Sequence, residues 1–128
     1  MNDLKVGELR IRVDRSVPAC LRLNWLGRSD IVNPAVAIGP FFEQALAEAS
    51  ADGCFIDLHF EALDHFNSAT CATLIQLLYA AGNARVPLHI VYGARVSWQA
   101  RAFEAIQGAS HSFGSGEWPK VEFFALHS

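Results

Sequence analysis

Charge is scarce in this chain, and neither sign dominates. Asp, Glu, Lys and Arg make up 18% of 128 residues, and 10 basic against 13 acidic side chains leave a formal net charge of −3. That balance lacks the basic excess needed to neutralise phosphates, so no nucleic-acid partner is expected. Cysteine is nearly missing as well. Cys20, Cys54 and Cys71 cannot all pair and none belongs to a Cys-x-x-Cys unit, which fits a reducing compartment. No apolar run reaches the length of a membrane span, since Gln76 and Asn83 interrupt the best candidate. The opening Met-Asn-Asp-Leu-Lys-Val-Gly-Glu has no apolar core of the signal-peptide kind. A cytoplasmic protein with no membrane contact is the expectation. Phosphate-cradling loops are also lacking: there is no Gly-x-Gly-x-x-Gly, no Walker loop and no Gly-x-Ser-x-Gly elbow. No cofactor is therefore expected, and no elbow makes Ser68 a nucleophile.

What the chain does have is apolar residues, at 52%, enough for one domain over residues 1–128 to build a core without disulfides or metals. Leu9, Ile11 and Val13 alternate with Arg10, Arg12 and Asp14, and Leu21, Leu23 and Trp25 repeat the pattern against Arg22 and Asn24. Period two marks half-buried strands, and Asp14-Arg15-Ser16-Val17-Pro18 between them makes a hairpin, ended by Gly27-Arg28-Ser29-Asp30. Asn33-Pro34 and Gly39-Pro40 can each open a helix, whose firmer part is Phe41 to Ser50, stopped by Asp52-Gly53.

The central strand is Gly53 to Phe60. It puts Cys54, Ile56, Leu58 and Phe60 on one face and Phe55, Asp57 and His59 on the other. Leu88 to Tyr92 is a second strand with the same asymmetry. Between them, a polar link from Glu61 to Phe66 leads into a helix from Ser68 to Asn83, with Gly82-Asn83 as its stop. Leu74, Leu77, Leu78 and Ala81 form its core stripe, and Ala69, Thr73, Gln76, Ala80 and Asn83 its outward face. Cys71, Ile75 and Tyr79 suit either a second core stripe or the seam of a homodimer. A helix over Ser97 to Gln107, a Gly/Ser-rich loop from Gly108 to Gly116 and a strand over Val121 to His127 complete the order β-β-α-β-α-β-α-β. Right-handed crossovers added in one direction put all the helices on one side of the sheet.

Three constellations are candidates for function. Cys54, His59, His65 and Cys71 do not make a metal site, because residues 54 and 59 point to opposite faces of one strand. Asp57, His59 and His89 share the less apolar sheet face, which is either a partly solvated surface or one covered by the N-terminal segment, or else a site for acid–base work or for a small molecule or nucleotide. Asn67-Ser68-Ala69-Thr70 opens the middle helix. Ser68 is either a helix cap, stabilising by about 1 kcal/mol, or a phosphorylation site at a helix N-terminus that tolerates anionic charge.

The stretch from His59 to Leu74 resembles the central motif of STAS domains, the anti-sigma factor antagonist-like family. There a strand and a short polar link reach an Asp-Ser-Ser-Gly-like turn, whose first serine a partner kinase phosphorylates. Ser68 takes that position, with Asn67 for Asp, Ala69 for the second Ser and Thr70 for Gly. A narrower resemblance is to bacterial STAS-like regulators with an Asn-Ser-Ser-Thr type motif. It rests on Gly27-Arg28-Ser29…Asn33-Pro34 and Trp98-Gln99…Phe103-Glu104-Ala105 on either side. The resemblance implies a STAS-like α/β fold: a mixed sheet of about five strands, N-terminal hairpin then mainly parallel, with about three helices mostly on one face. It implies a non-catalytic regulator that switches partners when Ser68, or as second choice Thr70, is phosphorylated. Asp64, His65, Asn67, Ser68, Ala69, Thr70 and Thr73 are the implied contact residues. An anti-sigma-type serine kinase and a PP2C-like phosphatase are the implied partners. The Asn67 and Ala69 departures suit the alternative of a constitutive scaffold or dimerisation module.

Overall fold

A computed structural model describes residues 1–111 and 116–127 of the chain. The N-terminal strands β1 (Leu4–Val6), β2 (Leu9–Asp14) and β3 (Cys20–Ser29) form an antiparallel meander. The period-two pattern read for β2 and β3 is what pairs them, Ile11 opposite Trp25 and Val13 opposite Leu23. β3 does not stop at Gly27. It continues to Ser29 because Gly27 takes a left-handed φ of +80°, at which a Cβ would collide with the Glu8 carbonyl. That extra length lets one strand support two others. Its first half pairs in parallel with β4 (Phe55–His59), and its second half pairs in parallel with β5 (Leu63–Phe66). The link expected from Glu61 to Phe66 is thus largely a strand.

β6 (Leu88–Gly93) and β7 (Val121–Leu126) add in parallel beyond β4. Among the described residues the sheet has seven strands, in the order β1-β2-β3-β4-β6-β7, with β5 on β3. The two strands beyond the five expected are β1 and β5, each too short to display an alternation of its own.

Helix α1 (Pro34–Asp52) opens at Pro34 and passes through Pro40, closing at Gly53. Pro40 is exposed, so the hydrogen bond it cannot make lies on the solvent side, which is why the helix survives it. Helix α2 (Ser68–Ala84) runs past Gly82, whose lack of a side chain lets Pro119 pack within 3.2 Å of where a Cβ would stand. Arg85 closes it in left-handed geometry. Helix α3 (Ser97–Ser110) is longer than expected and takes in Gly108. The stretch 112–115 of the anticipated loop lies outside the described residues.

All three helices contribute to a single buried cluster with one face of the sheet: Leu9, Ile11, Leu23, Trp25, Ile56, Leu58, Leu88 and Ile90. The opposite face carries Arg12, Arg22, Asn24, Asp57, His59 and His89. The parallel connections make α1, α2 and α3 all start at the C-terminal ends of the strands, the end of such sheets where sites are built. No helix among the described residues is long and apolar enough to cross a membrane.

Candidate functional site at the start of helix α2

Asn67 holds the junction together. Its Oδ1 accepts from the Thr70 amide (2.9 Å) and the Thr70 hydroxyl (2.7 Å), and its Nδ2 donates to the Ile31 carbonyl at 3.0 Å. Its own amide donates to the Ser29 carbonyl at 3.0 Å. An aspartate could accept as Asn67 Oδ1 does but could not donate to Ile31, so the amide is the group that fits both neighbours. The Ser29 and Thr70 hydroxyls lie 2.6 Å apart, and both residues are fully buried. Thr70 gives its single hydrogen to Asn67, so Ser29 donates to Thr70.

Inside this frame Ser68 is exposed at the first position of α2, and the helix dipole places partial positive charge beside it. Asp64 is exposed, and His65, Asn67 and Ala69 are partly so. Thr70 and Thr73 are interior, the latter donating to the Ala69 carbonyl at 3.0 Å, so neither belongs to a contact surface. The outward stripe of α2 is Ser68, Ala72, Gln76, Tyr79 and Asn83; it shares Gln76 and Asn83 with the expected face and lies one residue earlier at the other three positions.

The two flanking segments converge on the same junction. Ser29 and the Ile31 carbonyl bind Asn67 and Thr70 as described. Trp98 packs edge-on against Phe66 (5.1 Å), and Phe103 contacts Phe60 (4.8 Å), Phe66 and Tyr92. Gln99 is fully buried; its Oε1 accepts from the Gly93 amide (2.7 Å) while Nε2 donates to the Phe60 and Leu63 carbonyls. One side chain thereby ties the ends of β4 and β6 to the beginning of β5. Reading the sequence singled out Trp98, Gln99 and Phe103 without finding what they touch.

The open sheet face carries a separate polar network. Asp57 Oδ2 lies 2.8 Å from His59 Nε2 and 3.1 Å from Arg22 Nε, and His59 Nδ1 lies 2.9 Å from Glu61 Oε1. His89 is in register with Asp57, but its ring lies tilted against Phe55, centroids 4.2 Å apart, and packs edge-on against Phe124. The expected trio is therefore a pair, completed by Arg22 and Glu61, which sequence spacing did not indicate. Beside it a groove of 490 Å³ is lined by Arg12, Asp14, Asn24, His59 and Glu61. Burial, then the Asp57 carboxylate, pushes the nearby Cys20 thiol up to about 11, so it is an inert thiol at neutral pH. No group of three His, Cys, Asp or Glu that could hold a metal occurs among the described residues.

His59 and Asp57 make stability depend on pH. The Asp57 hydrogen bond, opposed by burial and helped by Glu61, raises the His59 pKa above its ordinary 6.5. Burial raises the Asp57 carboxyl, but His59 and Arg22 outweigh it and leave the pKa below its ordinary 3.8. The His59 contribution is complete below pH 6.5 and is lost as pH rises through the raised value. The Asp57 contribution is complete above pH 3.8 and is lost as pH falls through the lowered one. Urea midpoints are expected to peak on the weakly acidic side and fall toward alkaline pH. A His59→Gln variant should lack the alkaline fall; an unchanged slope in that variant would refute the assignment.

No family model and no curated protein matches the chain. Solved structures do. SiaC of Pseudomonas aeruginosa aligns over 98% of this chain and 100% of its own, with 21% identity and a TM-score of 0.59. A chain in the crystal structure of the diguanylate cyclase SiaD in complex with its activator SiaC, from the same organism, aligns over 97% and 98%. Its identity is 19% and its TM-score 0.61. This likeness shows the fold, a STAS-like mixed α/β sheet with three helices.

Proposed function

We propose that the chain is a non-catalytic signalling regulator that acts by binding a protein partner through the Ser68 end of α2. Phosphorylation of Ser68 would control the contact. The observation that carries this reading is the contrast between the two hydroxyls: Ser68 is exposed at the helix start, whereas Thr70 is locked in the cap. Asp64, His65, Asn67 and Ala69 surround Ser68 and complete the proposed contact surface. The kind of partner is suggested by SiaC, the activator of a diguanylate cyclase in Pseudomonas aeruginosa. A signalling enzyme of that sort, with an anti-sigma-type serine kinase and an opposing PP2C-like phosphatase, would make the switch in the cytoplasm.

The charge around Ser68 indicates how the phosphate would act. α2 has no charged residue, α1 has no basic one, and Arg28 already pairs with Asp30 at 2.8 Å. A phosphoserine adds roughly −1.5 to −2 charges. Neither helix offers it a cation, so its charge remains directed at the partner, where desolvating it opposes binding. Intact-mass and phosphopeptide analysis of protein from its native cells is expected to place one phosphate on Ser68. Ser68→Asp is expected to weaken the partner complex at least tenfold, about 1.4 kcal/mol. An absence of phosphate together with unchanged binding by Ser68→Asp would instead support a constitutive scaffold. That second reading is favoured by Asn67, which has an amide wired to Ile31 where the resembling motif has a carboxylate.

A further inference from the structure

The two edges of the sheet are built differently. β1 is three residues long with Lys5 at its centre, a blunted edge of the kind that resists pairing. β7 is six residues, Val-Glu-Phe-Phe-Ala-Leu, with no Lys, Pro or register shift, and it is in register with β6 along its whole length. The Lys120 carbonyl accepts from Leu88 and the Leu126 carbonyl from Ala94, so even-numbered residues of β7 turn their backbone groups toward β6. Alternation then points the N–H and C=O groups of Val121, Phe123 and Ala125 to the outer edge, which no other strand among the described residues covers. Phe124 and Leu126 are 42% and 38% exposed on the open face beside it. A strand so apolar, left unprotected where β1 is protected, is made to be paired.

We propose that the occupant of this edge is β7 of a second copy of the chain, antiparallel and centred on Phe123, so that two sheets continue as one. This register sets Phe123 against Phe123 and Val121 against Ala125, the residues whose backbone groups point outward, as hydrogen-bonded pairs. Glu122 then faces Phe124 of the second copy, so the one charge of the strand never meets its own kind. The interface is isologous and closes at a dimer. A single strand pair buries little area, so the dimer is weak and concentration-dependent. It lies on an edge that does not include Ser68, and stands independently of the function proposed above.

Sedimentation velocity over a rising concentration series tests it. The wild-type chain is expected to pass from monomer to dimer. Ala125→Pro, which removes an outward N–H while leaving the ladder to β6, should stay monomeric with unchanged circular dichroism. Phe124→Glu puts like charges opposite each other and should weaken the dimer at least tenfold; it carries the test alone if the proline variant fails to fold. Adding Glu122→Lys to Phe124→Glu restores opposite charges across the pair, and with them the dimer. A wild type that remains monomeric throughout, a dimer untouched by Ala125→Pro or Phe124→Glu, or a double variant without rescue would each overturn the proposal.

Discussion

Replacing Gln99 with Leu is expected to destabilise the domain by roughly 3–5 kcal/mol, although the two side chains are close in volume. The loss comes from three backbone groups rather than from a cavity. In the native protein the Gly93 amide and the Phe60 and Leu63 carbonyls all find their partner in this one carboxamide, at 2.7, 2.8 and 3.0 Å. Gln99 has no solvent exposure, so no water is at hand to replace the amide. Each orphaned buried group costs about 1–3 kcal/mol. Gly93 belongs to the same arrangement, because a Cβ there would stand 3.2 Å from Gln99 Oε1 and 3.0 Å from Val96. A loss of this size is a large part of the 5–15 kcal/mol that typically holds a domain folded. It should also reach the Ser68 junction, since Leu63 begins β5 and β5 leads directly to Asn67. Urea unfolding measures the first effect, and faster amide exchange over β5 and the first turn of α2 measures the second. A Gln99→Leu variant within 1 kcal/mol of wild type would show that these strand ends are satisfied in some other way.

Gln99 also marks the limit of what the sequence discloses. Its neighbourhood in the chain, Trp98-Gln99…Phe103, could be recognised by resemblance, and the alternation of Phe103 and Ile106 with exposed residues announces a helix. Its three acceptors and donors lie 6 to 39 residues away in the chain, and no local pattern points to them. The strands β2, β3, β4 and β6 were legible because each is long enough to show alternation, with apolar residues at every second position facing the helices. β5 was not: Leu63-Asp64-His65-Phe66 is four residues, and what makes it a strand is the second half of β3, reached through Gly27. The start of α2 was legible from Asn67 and Ser68. The phase of α2 was not, since a helix without one charged residue shows no polar stripe, and Thr73 went to the wrong side. On the sheet face, Asp57 and His59 at i and i+2 were rightly placed together. Arg22 and Glu61 join them through a cross-strand register and a connection that only the fold reveals.

Thr70→Asp is expected to destabilise the domain by about 3–5 kcal/mol or to prevent folding, while Ser68→Asp, two residues away, should leave stability within about 1 kcal/mol of wild type. The difference follows from where the charge would sit. Thr70 Oγ1 is fully buried between the Ser29 hydroxyl and the Asn67 amide oxygen. A carboxylate there faces that oxygen, which accepts and cannot donate, and leaves only Ser29 to compensate it. Burial without a cation then penalises the charge in full, and the cap that Asn67 provides for the Thr70 amide is forced open. At Ser68 the same charge stands in water at the positive end of the α2 dipole, where an anion gains roughly 0.3–1 kcal/mol. Thermal and urea unfolding of the two variants side by side decide the matter. If Thr70→Asp folded as stably as Ser68→Asp, the buried hydroxyl chain from Ser29 through Thr70 to Asn67 would not be the structural lock described above. If they separate as expected, the domain can take an added negative charge at Ser68 without unfolding. That is the physical condition any reversible phosphate switch at this junction has to meet, and Thr70 fails it.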